Sequence, residues 1–297
     1  MHMVAYHLKS RNSGPESQRF ARYFRQIMRA ARFALRMRRP IPALRAKQAQ
    51  PSAAAFVQRR ADFIALINRH VDQVLCVSDR VRHIAQHFGI KPDLLSRAYI
   101  GTAHAGKFAQ TSAPDTLLNV DGTLSLAYLG YMRRDKGFFF LLDALDSLPS
   151  ESLGRLRLTI AAQGSAEGVA RLENLRPKLA ALHLHNGYRA DQLDAMLADV
   201  RLGVVPVLWE DNLPQVAIEM HARHIALMTA DRGGASELGA CPDLVFRSAD
   251  CDDFAACLHR ALSGQIDLSR YWAGATPPVS MPEHIATLMQ HYQDHAS

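Results

Sequence analysis

The chain has 297 residues, 48% of them hydrophobic and 21% charged, with a formal net charge of +7 and a pI of about 9.4. That length can bury a sizeable core and gives a prior of two domains, and the composition excludes collagenous, low-complexity and disulfide-scaffold chains. Cys76, Cys241, Cys251 and Cys257 form no Cys-x-x-Cys pair and have no histidine at zinc spacing, so they read as reduced, buried thiols of a cytosolic protein.

The charge is concentrated at one end. Residues 1–60 hold fourteen Lys or Arg against Glu16 alone, and the rest of the chain is net acidic. Within this end, Glu16 to Met37 reads as an amphipathic helix, with Phe20, Phe24, Ile27 and Met28 on an apolar face and Arg between them. Arg39-Pro40-Ile41-Pro42 ends it. Three roles are open to it: packing on the rest of the protein, lying on an anionic membrane surface through residues 16–39, or binding nucleic acid. No aromatic-interleaved basic motif supports nucleic acid, so packing ranks first and the membrane surface second. No apolar run reaches the length of a membrane span, and the N-terminus lacks the apolar core of a secretory signal.

A second helix is expected over Ala55 to His70, then a short strand at Gln73–Val77. Ser78 is a good N-cap for a helix over Val81 to Phe88 that Gly89 closes. Leu95 to Ile100 reads as another strand, entering the loop Gly101-Thr102-Ala103-His104. A Ser-, Pro-, Asp- and Gly-rich stretch from Gln110 to Thr123 marks a boundary. Beyond it, strand-like runs at Leu124–Leu129, Leu156–Ala161, Leu182–His185, Leu202–Val207 and Ile225–Thr229 alternate with helical segments. These segments include Phe138–Leu148, Glu167–Leu179 and Asp191–Ala198. Such alternation predicts a doubly wound parallel sheet, with ligands bound beyond the carboxyl ends of its strands. Gly130, Gly187, Asp211 and Gly233 all follow strand ends, and that convergence points to one site. The division expected is 1–110, a linker at 111–122, a Rossmann-like domain at 123–265 and a helical tail at 266–297.

The densest chemistry lies in Trp209-Glu210-Asp211-Asn212-Leu213-Pro214-Gln215-Val216-Ala217-Ile218-Glu219. Pro214 suits a helix's first turn, so a helix starting near Leu213 would put Asp211 at its mouth and Glu219 two turns in. Backbone N–H groups at that mouth would face a bound phosphate. Asp211 and Glu219, seven residues apart, could each grip sugar hydroxyls. This pattern resembles the Glu-x7-Glu motif of family 4 retaining glycosyltransferases, which have a GT-B fold. Leu126 to Gly137, ending in Lys136-Gly137, resembles the same family's strand–Gly–loop–Lys-Gly element. Gly233-Gly234-Ala235-Ser236-Glu237 resembles its Gly-Gly-x-x-Glu turn. The resemblance covers roughly residues 70 to 260.

What the resemblance implies is a GT-B-like α/β protein with a reduced, helix-rich N-terminal part that lacks the first parallel strands. Lys136 would contact the donor diphosphate, Glu219 the nucleotide ribose and Asp211 the transferred sugar, with Lys136 and Asp211 as the catalytic pair. Gly130, Arg133, Gly187, Asn212, Leu213, Pro214, Gln215, Gly233 and Gly234 would line the donor. The implied reaction is retaining transfer from a nucleotide sugar to a saccharide or lipid-linked acceptor in surface polysaccharide synthesis, without cofactor or metal. Two departures stand out: Asp211 replaces the usual first Glu, and Tyr131 follows Gly130 where Arg is common. The competing expectation is a module that binds nucleotide sugar without turnover. Bland roles remain open for single residues. Lys136 could be an exposed loop lysine, Asp211 a helix cap, and Glu237 a cap or a partner for a neighbour. Among fourteen histidines, His221, His224, His183 and His185 lack the partners of a metal set. His104 is nearest the expected cleft and is assigned no catalytic role.

Overall fold

A computed structural model describes residues 52–239 and 241–294. The basic amphipathic helix expected over Glu16 to Met37 lies outside the described residues. The described residues form two compact units: one comprises 52–75 together with 84–96, and the other comprises 76–83 and the described residues from 97 onward. No helix among the described residues is long and apolar enough to cross a membrane.

In the first unit, α1 (Ala53–His70) begins at Ser52, whose side chain accepts the Ala55 N–H at 3.2 Å. Asn68, near its end, donates to the Gly89 carbonyl at 2.8 Å and accepts the Lys91 N–H at 2.9 Å. Arg60 lies over the Phe88 ring, 4.3 Å from its centroid. The short strands β1 (Val74–Cys76) and β2 (Leu95–Arg97) pair with each other. Between them in the chain comes α2 (Asp79–His87), whose start belongs to the second unit and whose end to the first, with Ser78 accepting the Val81 N–H at 3.2 Å as expected and Gly89 (φ 99°) following.

The second unit contains a six-stranded, all-parallel sheet in the order β5-β4-β3-β6-β7-β8. Its strands are β3 (Leu124–Tyr131), β4 (Leu156–Gln163), β5 (Ala181–Asn186), β6 (Leu202–Val205), β7 (Ala226–Ala230) and β8 (Val245–Phe246). The central position of β3 explains its mainly apolar run: Leu124 to Leu129 is buried at every residue, with the hydroxyl of Ser125 accepting from Asn119 at 2.9 Å. The fold is α/β, as expected. β8 is an addition, since a two-residue strand leaves no periodic signal. β6 stops at Val205 instead of Val207 because Pro206 cannot donate to the ladder.

The helices of this unit begin with α3 (Ala105–Gln110) ahead of the sheet. Within the sheet region come α4 (Phe138–Asp146), α5 (Ser150–Leu153), α6 (Ala166–Leu175), α7 (Leu193–Met196) and α8 (Gln215–His221). The helices α9 (Cys251–Leu262), α10 (Leu268–Ala273) and α11 (Met281–Asp294) follow. The helix expected over Glu167–Leu179 ends at Leu175, because Pro177 cannot donate the next helical bond; residues 176–178 form a 3-10 turn instead. The helix expected over Asp191–Ala198 is reduced to a 3-10 turn and the single turn of α7.

Crossovers between parallel strands are right-handed as a rule, and with the strand order β5-β4-β3-β6-β7-β8 that rule puts α4 and α6 on one sheet face and α8 on the other. α4 is buried almost throughout; its Phe140 stacks on Phe246 with centroids 5.9 Å apart and meets Phe254 of α9 edge-on. Each such ring or Leu buried contributes about 1.5–3 kcal/mol. The chain order reverses between β3 and β6, where Leu126 pairs with Leu202 and Ala127 with Gly203. A crevice beyond the carboxyl ends of these two strands is where a sheet of this type holds ligands.

Candidate functional site

The turn after β3 is set by close approach. Gly137 caps α4 in the left-handed region (φ 73°), and a Cβ there would lie 1.6 Å from the Pro206 carbonyl oxygen. The Leu208 N–H donates to the Asp135 carbonyl at 3.2 Å, and the Tyr128 hydroxyl to that of Tyr131 at 2.7 Å. The turn is thereby pressed against the end of β6. Lys136 consequently meets Asp211, Nζ to Oδ2 at 2.7 Å, and lies 5.0 Å from the Trp209 ring centroid. Asp211 is bonded through Oδ2 alone, and the buried Trp209 Nε1 has no hydrogen-bond partner, both among the described residues. Arg133 turns aside, forking onto Asp135 at 2.9 and 2.8 Å in an exposed pair.

The helix that carries Glu219 starts later than expected. Pro214 has an extended ψ of 129° and is the N-cap of α8, not part of its first turn; α8 begins at Gln215 and not near Leu213. Leu213 and Pro214 are buried, Gln215 is exposed, and Gly130 (φ 127°) faces the start of the helix, where an added Cβ would touch Val216 at 3.8 Å. Glu219 is mostly buried, with 15% of its side chain exposed. Its burial demands a partner, which Tyr188 supplies by donating its hydroxyl to Oε2 at 2.6 Å. Gly187, at φ 75°, makes the turn that delivers Tyr188 from the end of β5. Burial first, and the Glu219 carboxylate second, push the Tyr188 phenol above its ordinary range. On the other side His104 Nε2 stands 3.8 Å from Glu219 Oε1.

Neither Tyr188 nor His104 was assigned to Glu219 from sequence. Their separations of 31 and 115 residues leave no local pattern; the only available signal was that each sits in a loop following a strand.

Gly233 (φ 72°) and Gly234 pack beneath the 210–212 loop. A Cβ on Gly233 would lie 2.0 Å from the Asp211 carbonyl oxygen, and one on Gly234 2.3 Å from that of Asn212. The Gly234 N–H donates to the Asp211 carbonyl at 3.0 Å, and the Asn212 carbonyl accepts the Ser78 hydroxyl at 2.9 Å. Glu210 binds Arg80 through both oxygens and accepts the Gly233 N–H at 3.0 Å, with Arg232 at 3.2 Å. These partners, Arg80 foremost, hold its carboxyl down at about 2. Glu237 accepts the Asp79 and Arg80 N–H groups at 2.8 and 2.6 Å and the Tyr99 hydroxyl at 3.0 Å. It caps α2, the plainer of its expected roles. His221, one of the histidines singled out, is fully buried beside Trp272, with Nε2 3.1 Å from the Thr276 carbonyl oxygen; burial lowers its pKa to about 4.

Residues 123–264 match the family model described as "Glycosyl transferases group 1". No curated protein matches the chain. Among solved structures, Anabaena HepE in complex with UDP is similar at 17% identity and a TM-score of 0.60, over 80% of this chain and 68% of that one. A UDP-forming α,α-trehalose-phosphate synthase from Burkholderia xenovorans is similar at 16% identity and a TM-score of 0.59, over 83% and 67%. Sucrose-phosphate synthase from Thermosynechococcus elongatus is similar at 18% identity and a TM-score of 0.55, over 86% and 65%. The chain thus spans about two thirds of the length of these proteins. At such identities the likeness establishes the fold, a GT-B-like α/β sheet.

Proposed function

We propose that this chain is a glycosyltransferase that moves a sugar from a nucleoside-diphosphate donor to a saccharide or lipid-linked acceptor, with retention at the anomeric carbon. The observation that carries the proposal is the Lys136–Asp211 pair beside the β3/β6 switch point, within the segment that matches the group 1 model. When the donor's glycosidic C–O bond breaks, negative charge grows on the departing diphosphate. The Lys136 ammonium is placed to stabilise it, and low local dielectric strengthens that interaction. Asp211 Oδ1 would accept a hydroxyl of the transferred sugar, and Glu219 a hydroxyl of the ribose. The backbone N–H groups at the start of α8 would complete the donor cradle, with Gly130 and Gly187 lining it as residues without a side chain in the way, and the reading calls for no metal.

The similarity to HepE, solved with UDP-glucose, makes uridine the first base to test. Retention, the acceptor and a role in surface polysaccharide synthesis rest on the sequence resemblance. Association of residues 16–39 with an anionic membrane surface on the cytoplasmic side, ranked second to packing, rests on the basic amphipathic pattern of that segment.

A second reading, a module that binds nucleotide sugar without turnover, draws on the same pair. Lys136 and Asp211 neutralise each other at 2.7 Å, which reduces the positive charge left for a departing diphosphate. The deciding experiment incubates the chain with UDP-, GDP- and ADP-glucose and monitors nucleoside-diphosphate release, with NMR of any glycoside formed. Release from one donor, with an α-linked product from the α-linked donor, supports the enzyme. Tight binding without release supports the module.

A further inference from the structure

The two oxygens of Glu219 have unlike surroundings. Oε2 is taken by the Tyr188 hydroxyl at 2.6 Å. Oε1 faces His104 Nε2 at 3.8 Å, beyond hydrogen-bond reach, with both side chains mostly buried. That gap admits one hydroxyl oxygen bonded to both atoms, meeting them at close to a right angle. A hydroxyl can donate to the carboxylate while accepting from the imidazole N–H, which neither group does for the other at this distance.

Independent contacts hold His104 and Glu219 in place. Thr102 accepts the His104 N–H on its side chain at 3.1 Å and donates its own N–H to the Val279 carbonyl at 2.9 Å. From α3, Lys107 binds Asp194 at 2.6 Å; Asp194 also binds Arg223 at 2.7 Å, and Arg223 donates to the Glu219 carbonyl at 2.8 Å. Two ion pairs and a hydrogen bond to a backbone carbonyl therefore link the helix that follows His104 to the helix that carries Glu219.

We propose that His104 is a donor-site residue: its Nε2–H and Glu219 Oε1 take one ribose hydroxyl between them, while Tyr188 fixes the carboxylate by occupying Oε2. The inference rests on the nucleotide-donor reading above and adds to it a residue and a selectivity, for ribose over deoxyribose.

The test is calorimetric titration of the full chain with UDP, GDP and ADP. The nucleotide that binds is then compared with its 2′-deoxy and 3′-deoxy forms, on wild type, His104→Ala, His104→Gln and His104→Phe. In wild type one deoxy form should bind at least about tenfold more weakly. His104→Ala should weaken the ribonucleotide by about tenfold and largely erase that difference, and His104→Gln, which keeps an N–H donor, should restore part of both. His104→Phe keeps the ring and removes the donor, so it decides the matter should the alanine variant not fold. If His104→Phe or His104→Ala retains wild-type affinity and discrimination while Glu219→Ala loses binding, His104 has no part in recognition and the donor reading stands alone. If wild type binds none of the three nucleotides, the donor reading and this inference fall together.

Discussion

Two neighbouring groups of carboxylates, close in sequence and alike in type, are put to opposite uses. Along the seam between residues 78–80 and 233–237, Glu210 and Glu237 have every oxygen engaged by Arg80, Arg232, Tyr99 and backbone N–H groups. In the crevice at the strand ends, Asp211 and Glu219 each commit one oxygen, to Lys136 and Tyr188, and leave the other unbonded among the described residues. A fully bonded carboxylate contributes rigidity, whereas a half-bonded one in a mostly buried place retains capacity for a ligand. One residue's difference, Glu210 against Asp211, separates the two roles.

The seam can be broken most severely at Gly233. Gly233→Ala places a Cβ against the Asp211 carbonyl at a left-handed φ and should destabilise the chain by about 3 kcal/mol or more, as read by urea unfolding. Asp211→Asn probes the crevice instead. It should lower turnover by about a hundredfold while leaving stability within about 1 kcal/mol and nucleotide affinity within about fivefold, since it removes only one partly exposed ion pair. Unchanged turnover would make Asp211 a loop residue only. Glu237→Ala removes the α2 cap and should cost about 2 kcal/mol in urea unfolding.

The smallest effect concerns acid. The Glu210 carboxyl, ordinarily near 4.5, is held at about 2 in the folded chain. Its contribution to stability is therefore complete above about 4.5 and is lost as pH falls toward 2. The melting-temperature gap between wild type and Glu210→Gln should shrink across that window, and a gap independent of pH would contradict the account.

Much of the architecture was legible because the physics is local. Leu124–Leu129 and Leu156–Ala161 are mainly apolar runs too short for helices, buried throughout except at Arg157, and Ser78 and Gly89 punctuate α2 where such residues must. The Lys136–Asp211 neighbourhood was legible as far as strand ends converge in a parallel sheet. What escaped was non-local or balanced between two local rules. Pro214 fits both an N-cap and a first turn, and only its extended ψ chooses. For Gly233 and Gly234 the sequence offers close backbone approach, which serves packing and binding equally well, and for Glu237 a cap or a partner, of which the structure shows the cap. That Tyr188 and His104 flank Glu219 follows from how β5, α3 and α8 are arranged in three dimensions, which no window of sequence contains.

The central claim is that the half-bonded carboxylates form a nucleotide site. Calorimetric titration with UDP, GDP and ADP, on wild type and on Glu219→Ala, tests it most directly. The account predicts that one nucleotide binds selectively and that Glu219→Ala weakens it by at least about tenfold with little change in melting temperature. Equal affinities for wild type and variant, or no binding of any of the three to a folded chain, would contradict it.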